Sequence, residues 1–210
     1  MRPAALARLA TGALVVVGML LAALAAAASG AAPLALHPVE IEGSAAVVAG
    51  HALELVGPDA PAAPTVWEGP IRVRDAGRLR CTLDVELIAG LYADDAGRSL
   101  LVVSRSGAST YLSLFDLADC NLAAASDALF TERIRVRGAR IEVLPGCECG
   151  ATPAVCRCSA AKVLRVDGDL ALREDVAASR ALTRARLGVA FEGEARVADP
   201  GGPAARILQD

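Results

Sequence analysis

The fold of this chain is organised around residues 146–158, which read GCECGATPAVCRC. This stretch holds four of the six cysteines as two C-x-C pairs on either side of a six-residue loop. Residues i and i+2 of a strand point to the same face, so a hairpin with one pair on each arm places all four sulfur atoms on one side. Nested bridges Cys147–Cys158 and Cys149–Cys156 fit this geometry, although four cysteines allow three pairings and the spacing alone does not select one.

Two other uses of the same four cysteines fit the sequence. Four thiolates could hold zinc tetrahedrally, with Cys147, Cys149, Cys156 and Cys158 as ligands, but neither pair has the usual C-x2-C spacing. A C-x-C pair that closes on itself is strained and oxidising, which would make the chain a thiol-redox protein. Structural disulfides are the main prediction, and the cellular compartment decides between the three.

The N-terminus has the pattern of an export signal, residues 1–31. Met1–Arg8 carries two arginines and no acid, and a long apolar run continues to Ala28. A positive segment, an apolar segment and then small residues are typical of a signal peptide, with cleavage predicted after Ala28 or Ala31. The alternative is an uncleaved signal anchor in the inner membrane, because the apolar run is just long enough to span a bilayer.

Export places the chain in the periplasm or outside the cell, where disulfides persist. The six cysteines form an even set, and none lies in the signal segment. Both observations favour three bridges, with Cys81–Cys120 as the third. We therefore expect a secreted or periplasmic protein that touches a membrane only if its N-terminal segment is retained.

Composition and charge exclude several classes of partner. Without Arg2 and Arg8 the exported part has 19 basic and 24 acidic side chains, a formal charge of −5. An acidic chain offers no electrostatic basis for nucleic-acid binding. Only 3% of the residues are aromatic, which is low for a protein that stacks sugars or bases. Lys162 is the only lysine, and we attribute the abundance of arginine to genome composition.

Alternating apolar residues predict antiparallel strands along most of the chain. In Leu79–Leu87 the odd-numbered residues, Cys81 among them, are apolar and the even-numbered ones polar, which is typical of a half-buried strand. Leu100–Val103 is continuously apolar and predicts a strand buried on both faces. With Tyr111–Leu117 these strands would form a meander that Cys120 closes. Further predicted strands are 45–56 with a turn at Gly50, 71–74, 133–136, 140–144, 162–166 and 189–195, whereas 121–130 is predicted as a loop or one helical turn.

The predicted architecture is an antiparallel β-sandwich or small barrel, stapled by disulfides, with one short helix near the C-terminus. A linker, 32–44, precedes the β domain, 45–172, which includes the cysteine hairpin 146–159. Segment 173–210 is predicted to hold the helix, at Glu174–Leu187, and a loose tail after the Pro/Gly cluster 199–203.

The sequence contains no recognisable catalytic constellation. Its two histidines, His37 and His51, are too few for a histidine-based metal site. A triad of His51, Ser106 and Asp94 lacks the G-x-S-x-G elbow, and Ser106 lies in a predicted turn where serine is common. The aspartates of 94–95 and 167–169 could bind calcium but lack the EF-loop pattern. We predict no catalytic residue, cofactor or metal, apart from the zinc alternative.

The predicted function is therefore a non-enzymatic binding or structural module of the periplasm or cell surface. Its partner would be a protein or another component of the cell envelope. This prediction depends on an oxidised, rigid scaffold and on the lack of a catalytic motif. The alternatives are a cysteine-based metal-binding protein and a thiol-redox protein that uses the C-x-C pairs.

Overall fold

The computed structural model describes residues 31–150, 155–202 and 205–208. The predicted signal segment lies outside these residues except for its last position. The protein is mainly β, with 56% strand and 7% helix, and its sheets are antiparallel. The predicted fold class, including one helix near the C-terminus and three cysteine pairs at disulfide distance, is confirmed.

Nineteen strands and one helix, α1 (Val176–Leu187), lie in the described part of the chain. The strands are β1 (Leu36–Pro38), β2 (Ala45–Val48), β3 (His51–Glu54), β4 (Gly57–Pro58), β5 (Trp67–Glu68), β6 (Ile71–Asp75), β7 (Arg78–Leu83), β8 (Leu87–Asp94), β9 (Ser99–Ser106), β10 (Ser109–Asp116), β11 (Asn121–Ala125), β12 (Thr131–Arg137), β13 (Arg140–Pro145), β14 (Cys147–Cys149), β15 (Val155–Ser159), β16 (Lys162–Val166), β17 (Leu172–Glu174), β18 (Glu194–Ala198) and β19 (Arg206–Leu208).

These strands form four sheets. Sheet I has the order β2-β3-β6-β7, sheet III the order β12-β13-β16-β17, and sheet IV the order β14-β15-β18-β19. Sheet II has seven strands in the order β11-β10-β9-β8-β5-β4, with β1 also paired to β8. Most neighbours in a sheet are also neighbours in sequence, so short hairpins account for most of the topology.

Sheet II is the central layer, because apolar side chains cover both of its faces. One core cluster joins sheet I to sheet II and includes Leu53, Ile71, Leu100 and Val102. A second cluster joins the other face of sheet II to sheet III and includes Leu101, Val103, Ile141 and Val166. Successive residues of β9 thus enter opposite cores, which confirms the prediction that Leu100–Val103 is buried on both faces.

The predicted strand Leu79–Leu87 is wrong in its extent. β7 ends at Leu83 in sheet I, and β8 begins at Leu87 in sheet II. The chain breaks between them where Gly69 packs against the backbone of Val85 and donates its N–H to the Glu86 carbonyl at 2.6 Å. A bulge opposite Arg74 also shifts the register, so Leu79 lies on the outer face and is exposed, as Leu87 is.

This break changes the role of the bridge Cys81–Cys120. The first strand of the meander is β8, and β7, which carries Cys81, belongs to the neighbouring sheet. Cys120 lies in the turn between β10 and β11 with a φ of 62°. The bridge, with a Cα–Cα distance of 6.4 Å, therefore ties sheet I to sheet II and does not connect two strands of one meander.

Helix α1 is confirmed close to its predicted position. The Asp175 carboxylate caps its N-terminus by accepting the Ala178 N–H at 2.9 Å, and Gly188 ends it in the left-handed conformation. The buried hydroxyls of Ser179 and Thr183 accept N–H groups of Val163 and Ala161, each at 2.9 Å, so α1 covers the edge of β16 beyond β17. No helix in the described ranges is long and apolar enough to cross a membrane.

Three weakly patterned segments differ from prediction. Segment 121–130, predicted as a loop or helical turn, begins with β11, whose small side chains carry little strand signal and which β10 pairs into sheet II. The last predicted strand, 189–195, is displaced to β18, and β19 pairs with it within the predicted loose tail. β1 lies within the predicted linker 32–44 and pairs with β8.

The Cys81–Cys120 bridge should contribute more to stability than a bridge of the hairpin. The two cysteines are 39 residues apart, against 7 for Cys149 and Cys156, so the former closes a much longer loop of the unfolded chain. We expect the double variant Cys81→Ser/Cys120→Ser to lose about 2–4 kcal/mol of unfolding free energy in urea titration. Its control is Cys149→Ser/Cys156→Ser, which keeps the nested Cys147–Cys158 bridge and should lose less. An equal loss in both would contradict a role in joining the sheets.

Candidate functional site

The cysteine hairpin consists of β14 and β15 in register. Cys147 is opposite Cys158 and Cys149 opposite Cys156, and each pair forms a disulfide with a Cα–Cα distance of 4.1 Å. The structure thus selects the nested pairing among the three that four cysteines allow. With Cys81–Cys120, all six cysteines are in disulfides. Within the described ranges no group of three or more His, Cys, Asp or Glu is arranged to hold a metal ion.

The two arms of the hairpin differ in burial. Cys156 and Cys158 are buried in a small core cluster with Leu187 of α1 and Val197 of β18. Cys147 and Cys149 lie on the edge strand of sheet IV and are exposed. Cys147 also borders a groove of about 530 Å³ near the C-terminal end of α1. The hairpin therefore anchors sheet IV to the helix and presents one side of each disulfide to solvent.

The structure does not bring together the triad considered from sequence. Ser106 and Asp94 lie at opposite ends of the β8–β9 pair, and His51 is on sheet I. The His51 Nδ1 instead hydrogen-bonds the Asp75 carboxylate, whose other oxygen accepts from Arg80 at 2.9 Å. His37 contacts Asp95 at 3.2 Å on the surface.

The aspartates considered as calcium ligands have other partners. The Asp94 carboxylate accepts the Ser99 N–H at 2.8 Å within the β8–β9 turn. Asp167 is almost fully buried and contacts Arg165 at 3.0 Å and Arg173 at 2.6 Å. Asp169 contacts Arg173 at 2.6 Å, and Asp169 and Asp167, in that order, raise the pKa of this guanidinium. These carboxylates neutralise arginines or hold turns.

A cleft of about 440 Å³ lies between sheets II and III and is hereafter called the inter-sheet cleft. Strands β8, β9 and β10 form one side and the start of β12 the other. The hairpin end of β10 is fixed there, because Thr110 exchanges backbone hydrogen bonds of 2.9 and 2.8 Å with Leu129. The lining residues are Ala89, Tyr92, Val103, Arg105, Gly107, Ala108, Ser109, Thr110, Thr131, Glu132, Arg133 and Ile134.

Two β-bulges border the inter-sheet cleft. In β8 the register with β9 shifts between Ile88 and Gly90, which makes Ala89 the extra residue. In β12 the register with β13 shifts between Thr131 and Ile134, so Glu132 and Arg133 depart from the regular alternation. Bulges are common next to binding and active sites because they redirect side chains. Here the second bulge brings two charged residues into the lining of the cleft.

The charged groups of the inter-sheet cleft come from different sheets. Arg105 lies on β9 and Arg133 on β12, and neither has an acidic partner within 4 Å among the described residues, nor does Glu132. Guanidinium groups stay charged and offer planar, forked donors that match carboxylate or phosphate oxygens. Burial raises the pKa of the half-buried Tyr92 phenol, which keeps it a neutral hydroxyl.

The arrangement of the inter-sheet cleft can bind an acidic group. Ala89, Val103 and Ile134 add apolar surface beside the two arginines, so a ligand with an acidic end and an apolar body fits the lining. Sequence reasoning missed Arg105 and Arg133. Nothing local distinguishes them from other arginines, because the cleft depends on how sheets II and III pack.

Ionised Asp75 should stabilise the protein in a pH-dependent way. The hydrogen bond from His51, followed by the charge of His51 and the contact with Arg80, holds the pKa of Asp75 below its ordinary value of 3.8. A lowered carboxyl pKa stabilises the folded state above the unfolded pKa, and this stabilisation is lost as the pH falls through the folded value. Asp75→Asn should lower the Tm at pH 6, and its difference from the parent protein should shrink below pH 3.8. A difference that stays constant down to pH 2 would contradict this account.

Comparison with protein-family models finds no matching family, and comparison with curated proteins finds no relative. The inter-sheet cleft and the disulfide framework are therefore the features from which we infer a function.

Proposed function

We propose that this protein is an exported, non-enzymatic binding module of the periplasm or cell surface, and that it binds an acidic group in the inter-sheet cleft. The single observation that carries the binding role is the pair Arg105 and Arg133. They line one cleft from two different sheets without an acidic partner in the described residues. Guanidinium groups that are not engaged by a carboxylate of the chain can form charge-assisted hydrogen bonds with an anionic ligand.

The surrounding framework supports binding because it holds the cleft in a fixed shape. Both sheets that form the cleft share the core cluster of Leu101, Leu112 and Ile141. The Cys81–Cys120 bridge fixes sheet II to sheet I on its other face. A pre-formed site loses little conformational entropy when a ligand binds, so a few polar contacts suffice for recognition.

Export is supported by the N-terminal sequence and is compatible with the disulfides. Residues 1–31 have the signal pattern described above, and oxidised cysteines persist in the periplasm and outside the cell. An envelope location would present the cleft to acidic groups of extracellular or cell-wall components.

Thiol-redox activity is the second candidate function. Its support is the exposure of Cys147 and Cys149 on an edge strand, with Cys147 beside the 530 Å³ groove. A thiolate from a partner protein needs such access to attack a disulfide sulfur. Metal binding by the same hairpin would require all four cysteines as thiolates.

The intact mass of protein recovered from an exporting cell tests export and oxidation together. We expect a chain that starts near Ser29 or Ala32, is six hydrogens lighter than the reduced form and takes up no alkylating agent after denaturation. If four thiols are alkylated and the native mass includes a bound zinc, the metal site would replace the binding proposal. Retention of the N-terminal segment would show a membrane anchor. Reduction of one hairpin bridge by mild reductant, with trapping of a partner by Cys147, would favour the redox function.

Binding of benzoate, a carboxylate on an apolar ring, tests the inter-sheet cleft. We expect weak binding, with a Kd on the order of 1 mM, detected by saturation-transfer NMR at low ionic strength. Benzyl alcohol, which has a ring of the same size but no charge, should bind much less. Arg105→Gln/Arg133→Gln should reduce benzoate affinity roughly tenfold, the equivalent of about 1.4 kcal/mol.

The matched control is Arg72→Gln/Arg78→Gln, which removes the same charge from exposed positions on sheet I. It should leave benzoate affinity almost unchanged. Equal losses in the two double variants would show that net charge, and not the cleft, attracts benzoate. That result, or equal binding of benzyl alcohol, would overturn the proposed site.

A further inference from the structure

The register of sheet III places four arginines in one row across its four strands. Arg137 of β12 is opposite Arg140 of β13, Arg140 is opposite Arg165 of β16, and Arg165 is opposite Arg173 of β17. Adjacent strands are about 4.8 Å apart, so the four Cα atoms lie within about 15 Å. We call this set the arginine row. It lies on the face of sheet III that is directed away from sheet II.

Four like charges in a row are unfavourable unless other groups neutralise them. At the β17 end this is done by Asp167, whose carboxylate is 4% exposed and contacts both Arg165 and Arg173. Asp169 adds a second contact to Arg173 at 2.6 Å. This end of the row therefore forms a compact and locally neutral network.

The β12 end of the arginine row is not neutralised in the same way. Arg140 contacts Glu142 at 2.9 Å, but Arg137 has no acidic partner within 4 Å among the described residues. Arg135, on the same strand, also lacks one there and is directly opposite Glu142 in the register. Among the described residues, Glu142 is thus the only carboxylate within 4 Å of any of these three guanidinium groups.

A pocket of about 230 Å³ opens at this end of the row. Arg137, Arg140 and Arg165 line it, and Asp175 is the one acidic residue in its lining among the described residues. The Asp175 carboxylate already caps α1 by accepting the Ala178 N–H, and the positive end of the helix dipole offsets part of its charge. Pro33, Ala139 and Val163 add apolar surface to its lining. The pocket is smaller than a typical site for a drug-sized ligand and is suited to one small anionic group.

We propose that this pocket is a binding site for a phosphate-type oxyanion, distinct from the inter-sheet cleft. Arg137 and Arg140 are its principal ligands, and Arg165, held in place by Asp167, lies beside them. Guanidinium forks recognise tetrahedral oxyanions through paired N–H donors. The same chemistry is offered by free phosphate and by the phosphate of an anionic lipid headgroup.

The test is a titration of the full exported protein with inorganic phosphate and pyrophosphate at low ionic strength. Arginine Nε–Hε signals are observed by ¹⁵N NMR. We expect saturable shifts at Arg137 and Arg140, weaker at high salt because the site is exposed. A second arm uses vesicles that contain phosphatidylglycerol. Binding to vesicles through the same arginines would identify the headgroup as the source, and binding to free phosphate alone would identify the soluble ion.

Substitutions at Arg137 separate a specific site from general charge attraction. Arg137→Gln should weaken pyrophosphate binding at least fivefold, and it should not unfold the protein because Arg137 is exposed and outside the Asp167 network. Arg137→Lys keeps the charge but loses the planar fork, so its affinity should be intermediate. The control Arg72→Gln removes one exposed charge from sheet I.

Two results would overturn the site. One is the lack of any phosphate-dependent shift at Arg137 or Arg140. The other is an equal loss of affinity in Arg137→Gln and Arg72→Gln, which would show that only net charge matters.

Discussion

The burial of β9 on both faces is the constraint on which the rest of this structure depends. A strand with apolar side chains in two directions cannot lie at a surface, so sheet II needs a covering layer on each side. Sheets I and III supply these layers through separate core clusters. Removal of apolar surface from water is the main favourable contribution to the free energy of folding. The disulfides therefore act on a layered core that this burial has already defined. The break between β7 and β8 is also a consequence of this layering, because the chain must leave sheet I to enter sheet II.

The sequence contains much of this fold in its local patterns and little of its candidate sites. The hairpins 45–54, 133–144 and 147–158 are readable because alternation and turn glycines act over a few residues. The break at 84–86 was not readable, since it depends on Gly69, which is close to Val85 only in the folded chain. The sequence of β11 has almost no pattern that predicts a strand, and this segment is a strand because it pairs with β10.

The candidate sites could not be predicted for the same reason, because their residues meet only in the folded chain. Arg105 and Arg133 come together only when two sheets pack, and Arg137, Arg140 and Arg165 only when three strands pair in register. Genome composition explains how many arginines the chain has. It does not explain where the fold places them. A chain of net negative charge can therefore carry two local clusters of cations, and mean charge says little about which surface meets an acidic ligand.

The different spans of the three bridges have a consequence for how the chain folds. Cys149 and Cys156 are 7 residues apart and Cys147 and Cys158 are 11 apart, so both pairs can meet as soon as one hairpin forms. Cys81 and Cys120 are 39 residues apart and lie on different sheets, so they meet only after sheets I and II have packed. Because loop closure costs more entropy as the loop grows, the hairpin bridges should oxidise first and the inter-sheet bridge last. Formation of Cys81–Cys120 therefore reports that sheets I and II have already packed against each other.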